Sequence, residues 1–333
     1  MTAIASSLET PAMPRSLFVA LSLVAVTVIV AAPLLAPNTY VIKIAIMALI
    51  FAAMSQAFNL IYGFAGQLSF AQAGFWGVGA YVSAIGSQSL ELSPWLCLLI
   101  APAICAVVAV LVGVPALRVS RAAFVIVTLA LTLLLQLLAR NWTEVTRGAM
   151  GIPGLPPLSI SIPGVVNLDG SDPFQFYWIA LMLIAPVLAL LYSIMSTRIG
   201  QILLATNQDE SLARSQGMDV SGWQLFAFVI SGAVSGFVGA LYAFHLSIVE
   251  PGIFDMYYTQ ILLIIVIAGG AGHFWSVLGA SLVFTALPEM LRVSSEWRLV
   301  IFGVLLAAII IVMPRGFGGY LEDRRLRLWR RRA

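Results

Sequence analysis

The stretch WLCLLIAPAICAVVAVLVGVP, running from Trp95 to Pro115, decides the fold. It holds no Asp, Glu, Lys or Arg. At about 1.5 Å per residue it makes a helix close to the ~30 Å hydrocarbon thickness of a bilayer. Working outward, comparable uncharged runs recur at Leu17–Ala36, Ile44–Tyr62, Phe70–Gly86, Ala122–Ala139, Phe174–Met195, Trp223–His245, Met256–Gly272, Phe274–Pro288 and Leu299–Pro314. Together these ten segments predict an all-α polytopic membrane protein, with residues 1–333 forming one transmembrane domain. The apolar core of the first segment is longer than the roughly 7–15 residues of a cleavable signal peptide, so it is expected to remain as an anchor.

Composition agrees. Of 333 residues 61% are hydrophobic and 9% charged, with a mean hydropathy of +1.02. A soluble domain keeps about a quarter of its residues charged. A soluble enzyme, a nucleic-acid binder and a secreted disulfide scaffold are therefore excluded. Cys97 and Cys105 lie about 12 Å apart along one helix, too far to pair.

The cations set an orientation. With the N-terminus inside and ten crossings, Arg15, Arg118, Arg121, Arg198, Arg214, Arg315 and the six arginines of the tail (residues 321–333) fall in the cytoplasm. Lys43, Arg140, Arg147, Arg292 and Arg298 fall outside. This N-in, C-in arrangement follows the positive-inside rule, although the tail supplies half of the inner count.

Two connections are long. The external one, Arg140 to Pro173, is rich in Gly and Pro and reads as a turn-rich cap. The internal one, residues 197–222, contains Asn207 three residues before Glu210, the spacing of a capping box, and Gly217 as a left-handed stop. A short helix, Gln208–Gln216, is predicted there, with Asp209 and Glu210 in its first turn and Arg214 in its last. Its few apolar residues, Leu212 and Ala213, cannot hold it by a core of their own. It either lies on the membrane surface, docks onto another protein, or is a solvated connector.

Five spans precede the external loop and five follow it, which permits an inverted 5+5 repeat. The third span of each half is unusual in the same way: the first and the approach to it hold Gly63, Gly66, Gly74, Gly77 and Gly79 with Gln67, Ser69 and Gln72, and the second runs into Gly269, Gly270 and Gly272. Interrupted segments at matching places point to a translocation path or gate, but the same glycines would also serve close helix packing. In the seventh span, Ser231, Gly232, Ser235, Gly236 and Gly239 make one face nearly free of bulk, the pattern of a helix contact.

No charged residue lies at the centre of any span, which disfavours a proton relay. His245 and His273 are expected at opposite faces, too far apart for a metal site. The only lysine, Lys43, is followed by Ile44, so no phosphate loop is present. No HExxH and no Ser–His–Asp grouping supports an intramembrane enzyme. A passive conduit or a permease driven by a separate motor remains, and a cytoplasmic helix with nothing to hold it favours the motor.

At these residues the chain resembles the M-type permease subunits of bacterial ABC importers for branched-chain amino acids. The resemblance rests on Asn59-Leu-Ile-Tyr-Gly-Phe-Ala-Gly-Gln-Leu-Ser-Phe-Ala-Gln-Ala-Gly74, Gly77-Val-Gly-Ala-Tyr81 and Thr146-Arg-Gly-Ala-Met-Gly-Ile-Pro-Gly-Leu-Pro156. It continues through Ala205 to Gly217, Phe226 to Ser231, Gly239 to Leu241, and Gly269-Gly-Ala-Gly272 leading to Gly279-Ala280. The resemblance implies a complex with a second homologous permease, two ATPase subunits binding ATP and Mg, and an external substrate-binding protein, in the bacterial inner membrane. It implies no catalytic residue, cofactor or metal in this chain. The segment with Asp209, Glu210, Ala213, Arg214 and Gly217 would be the coupling helix that contacts an ATPase. Asn207 and Gln208 stand where Arg and Glu are usual in such permeases, and Gln224 where Lys is usual. Urea importers of the same superfamily and a stand-alone channel are the alternatives at this stage.

Overall fold

The structure, a computed structural model, describes residues 38–162, 166–291 and 316–317. The first and last expected spans and the basic tail lie outside the described residues. The other eight expected spans each coincide with a helix. These are α1 (Thr39–Asn59), α2 (Ala71–Ser89), α3 (Pro94–Ala116), α4 (Arg121–Asn141), α6 (Pro173–Ser196), α9 (Val220–Leu246), α10 (Met256–Gly269) and α11 (Phe274–Leu291). Between them lie the short α5 (Thr143–Thr146), α7 (Arg198–Gln208) and α8 (Glu210–Ser215). Among the described residues, five helices are long and apolar enough to cross a membrane, counting α1 with the turn that extends it. The chain is a polytopic helical membrane protein.

Local chemistry sets the helix starts. Ser93 accepts a hydrogen bond from Leu96 N–H at 3.3 Å ahead of Pro94 in the first turn, and Ser120 does the same for Ala123. Asp172 caps α6 ahead of Pro173, and Asp255 caps α10 by accepting from Tyr257 N–H. These polar caps sit where the uncharged runs begin, which is why hydropathy located the spans well.

The helices divide by what surrounds them. On α3 and α4 the residues Leu99, Leu111, Ile126 and Leu137 are each at least 60% exposed, the surface of helices that face lipid. The inward face of α3 is instead Cys97, Ala101, Cys105, Ala109 and Gly113, small residues at four-residue spacing. They meet the small face of α9. Gly236 abuts Cys105 and Gly232 lies against Ala109 and Phe75, while a β-carbon at Gly79 of α2 would collide with the Gly236 carbonyl. Gly239 in turn leaves room only for the Trp76 backbone. The stripe on α9 is thus the hub on which α2 and α3 pack. α1 is buried on nearly all sides between α6, α9, α10 and α11.

Hydrogen bonds sort the helix ends into two faces. On one face, the β1 strand (Ile152–Pro153) of the Gly/Pro-rich loop pairs antiparallel with β4 (Ile248–Val249) beyond α9, Gln88 in the last turn of α2 donates to the Pro153 carbonyl, and Trp95 Nε1 donates to Ser159 O at 3.1 Å. The hairpin β2 (Ile160–Ile162) and β3 (Val166–Leu168) completes this cap. On the other face, the start of α4 meets α8, and the end of α1 meets both α7 and the α10–α11 junction. Successive long helices therefore run in alternating directions.

Candidate functional site

The internal loop differs from its sequence reading in one informative way. Two helices occupy it, α7 and α8, and the cap between them is Asp209 rather than Asn207. Asp209 Oδ1 accepts from Ser211 N–H at 2.9 Å and Leu212 N–H at 3.0 Å. The Leu212 N–H and the Ser211 hydroxyl hold its carboxyl below the usual range. Asn207 is the penultimate residue of α7, because the segment before it also winds into a helix. The Asx cap two residues later ends that helix and starts the next. At the far end Gly217 has φ +81°, and Met218 N–H reaches back to Ala213 O at 3.1 Å, the left-handed stop that was predicted.

Glu210 does not reach back to a cap. Its Oε1 accepts from Arg121 of α4, with Nη2 at 2.9 Å and Nε at 3.0 Å, and from Gln224 Nε2 of α9 at 2.8 Å. Burial acts to raise the Glu210 carboxyl pKa, but the Arg121 and Gln224 hydrogen bonds and the charge of Arg121 outweigh it and leave it lowered. One carboxylate oxygen thus ties α8 to two long helices. Gln224, one of the positions that departs from the resembled family, supplies a neutral donor to that tie. Ala213 is buried against the chain, while Leu212 is 58% exposed and Arg214 is also exposed. The outward surface of α8 therefore pairs an apolar side chain with a cation.

Released from capping, Asn207 has another partner. Its Nδ2 donates to Gly63 O at 3.3 Å, and Gly66, at φ +70°, packs so closely on its amide that a β-carbon there would collide with Oδ1. Gly63 lies in a π-helical turn, Leu60–Phe64, that ends the α1 segment before residues 65–70 run irregularly into α2. A π turn marks a helix under local constraint and is common at functional sites. The irregular backbone is satisfied from α4: Thr128 Oγ1 accepts from Phe70 N–H at 3.1 Å, and Thr132 Oγ1 donates to Phe70 O at 2.9 Å. Ser69, fully buried, accepts from Ala71 N–H at 3.2 Å, and Gln67 is also buried.

The second break meets the first. After Gly269, Gly270 and Gly272 both adopt positive φ, and Gly272 N–H donates to Asn59 Oδ1 at 2.9 Å. Asn59 Nδ2 lies 3.4 Å from Gln56 Oε1, and Gln56 Nε2 donates to Phe274 O at 2.8 Å, tying α1 to the start of α11. Gly66, Gly270 and Gly272 are thus brought near one another on the face that carries α7. Gly74, Gly77 and Gly79 are not: they sit in helix contacts, against Thr132 and Leu135, the Phe254 ring and Gly236 respectively. Gly269 abuts the backbone of Val277. Gln72 bridges Ser231 and Ser235 at 2.6 and 2.5 Å, another packing role.

Sequence reasoning gave Arg121 no role beyond orientation, because cations at span ends are ordinary, and read Asn59 only as a neutral polar residue within a span. It also missed an aromatic cluster between four helices. Ring centroids are 5.8 Å apart for Phe51 and Trp76, 5.6 Å for Trp76 and Tyr258, and 4.7 Å for Trp76 and Tyr242. Only the fold assembles these four residues, which come from α1, α2, α9 and α10.

A helical membrane bundle with two interrupted helices facing a pinned surface helix has the construction of a transport subunit rather than of an enzyme. Residues 40–313 match the family described as branched-chain amino acid transport system, permease component, and the chain belongs to that family. It is 29% identical over 293 residues to the high-affinity branched-chain amino acid transport system permease protein LivM of Salmonella typhimurium, covering 83% of this chain and 69% of the relative. The LivM protein of Escherichia coli is 28% identical over the same shares. A probable branched-chain amino acid transport permease protein LivH of Methanocaldococcus jannaschii is 24% identical over 75% of this chain and 82% of its own length. No solved structure matches.

Proposed function

We propose that this chain is the membrane-spanning permease of an ATP-driven importer that carries branched-chain, hydrophobic amino acids into the cell. The observation that carries the ATP-driven part is α8. It is a capped helix fastened to α4 and α9 through Glu210, with Leu212 and Arg214 turned outward. Such a helix is held from behind and offers its front to a partner. The named relatives supply the cargo class.

In this reading the chain crosses the inner membrane of a bacterium ten times, N-in and C-in, its halves forming an inverted repeat. It works with a second homologous permease, an external substrate-binding protein and two ATPase subunits, and ATP and Mg act only on the ATPases. Asp209, Glu210, Ala213, Arg214 and Gly217 form the coupling element, with Ala213 as its inward support. Movement of that element reaches Gly63 through Asn207, and through Asn59 the Gly270–Gly272 turn. The two breaks then act as the inner gate, with Gln67 and Ser69 beside it. Gly74, Gly77, Gly79 and Gly269 set the helix spacing around the path.

The test is reconstitution. The chain assembled with its partners is expected to take up leucine when ATP is supplied, and the same vesicles are expected not to concentrate urea. Uptake of urea in place of leucine would move the chain to another cargo. Uptake by this chain alone without ATP would make it a facilitator.

A further inference from the structure

Resting on the importer reading, we propose that a cavity at the outer end of α1 is a transit site for the amino acid. In it Lys43 is the partner of the carboxylate, and the Phe51–Trp76–Tyr258 cluster is a floor that separates the site from the inner half of the bundle. The cavity has a volume of about 290 Å³ and lies among α1, α10, α11 and the end of α9. Lys43, Met47 and Phe51 line it from α1 at four-residue spacing, so they form one stripe running from mouth to floor over about 12 Å. Ile261 of α10 and Phe284 of α11 face that stripe.

The order of these groups matches an aliphatic zwitterion. A fixed ammonium stands at the mouth, and no carboxylate is among the lining residues to compete for it. Below it the walls are thioether, alkyl and ring, where a branched side chain leaves water. An acyl chain of a lipid would use the apolar wall but has no need of the cation.

The floor is closed by ring contacts, 5.8 Å between Phe51 and Trp76, 5.6 Å between Trp76 and Tyr258, and 6.3 Å between Phe51 and Tyr258. Buried polar atoms without a hydrogen-bond partner accompany it: Trp76 Nε1 within the floor, Thr259 Oγ1 in the residue after Tyr258, and Ser55 Oγ one turn deeper than Phe51 on α1. Such groups are costly in a protein interior and call for an explanation. A polar ligand moving inward as the rings part would satisfy them in turn.

The test uses the assembled importer in proteoliposomes with leucine as the probe. Cys97 and Cys105 are buried and give a quiet background for Met47→Cys. Saturating leucine is expected to slow modification of that cysteine by an impermeant thiol reagent. Lys43→Met is expected to raise the leucine concentration for half-maximal uptake about tenfold while the maximal rate is retained, the effect of losing one charge-assisted contact, and Lys43→Arg to restore it. Phe51→Ala is expected to give ATP-independent leak of leucine. Should that variant fail to assemble, the labelling and the Lys43 series still decide. An unprotected Met47→Cys and an unchanged half-saturation in Lys43→Met, in vesicles whose wild-type importer takes up leucine, would overturn the transit site and leave the importer standing. No ATP-dependent leucine uptake by the wild-type assembly would instead overturn the importer reading beneath it.

Discussion

Glu210 accepts on one oxygen from a guanidinium and from an amide, and the two donors differ in consequence. Arg121 is about half exposed, so its ion pair contributes only about 0.2–1 kcal/mol to stability. Arg121→Ala is therefore expected to leave the protein in the membrane. It should lower the uptake obtained per ATP hydrolysed, because α8 loses the bond that makes it follow α4. Measuring uptake and hydrolysis in the same vesicles checks this, and an unchanged ratio would reduce the pair to surface decoration. The carboxyl of Glu210 is lowered in the folded chain, so its contribution is present above the ordinary carboxylate value of 4.5 and is lost as pH falls through the lower folded value. Coupling is expected to be flat across neutral pH and to fail only in acid. At Gly66 the constraint is harder, since both φ +70° and the Asn207 amide oppose a side chain. Gly66→Ala is expected to cost about 1–3 kcal/mol through backbone strain and to displace Asn207, seen as loss of uptake with the protein still extractable as a folded species.

At the scale of elements, the long helices were legible in the sequence because an uncharged run about 20 residues long has few alternative fates. The short ones were less so. Gly217 announced the end of α8, but its beginning was read two residues early. Asn207 and Asp209 are both good caps, and only the folding of residues 198–208 into α7 removes the first from contention. Likewise Gly77 and Gly79 carry the same letter as Gly66, and nothing local says that the first two meet Phe254 and Gly236 while the third meets Asn207. Two predictions belong here. Gly217→Val is expected to abolish uptake and stimulated ATP hydrolysis with normal membrane insertion, because a β-branched residue resists the left-handed stop. Cysteines at Gly154 and Asp255 are expected to react with an impermeant external thiol reagent and one at Gln208 not to. Reaction of all three from one side would contradict the alternation of helices.

Over the whole molecule, the packing of the small-residue stripe sets where the other groups stand. The small stripe of α9 draws α2 and α3 against it, and α2 in turn sets Trp76 beside Phe51 and Tyr258. Gly79→Leu is expected to push that contact apart, costing about 1–3 kcal/mol or more by overpacking, and to lower uptake and assembly together. Composition had already removed the soluble readings, and the short helix between the sixth and seventh spans had favoured a separate motor over a passive conduit. What composition could not carry is the meeting of two broken helices at Asn59, Gly63 and Gly272 beside α7, a long-range arrangement with no signature along the chain. The central claim is that force enters at α8 from a partner that hydrolyses ATP. Its most direct measurement is leucine uptake by the reconstituted complex after the proton gradient has been collapsed. Uptake that persists and depends on ATP is the expected result, and concentrative, proton-driven uptake by the isolated chain would contradict it.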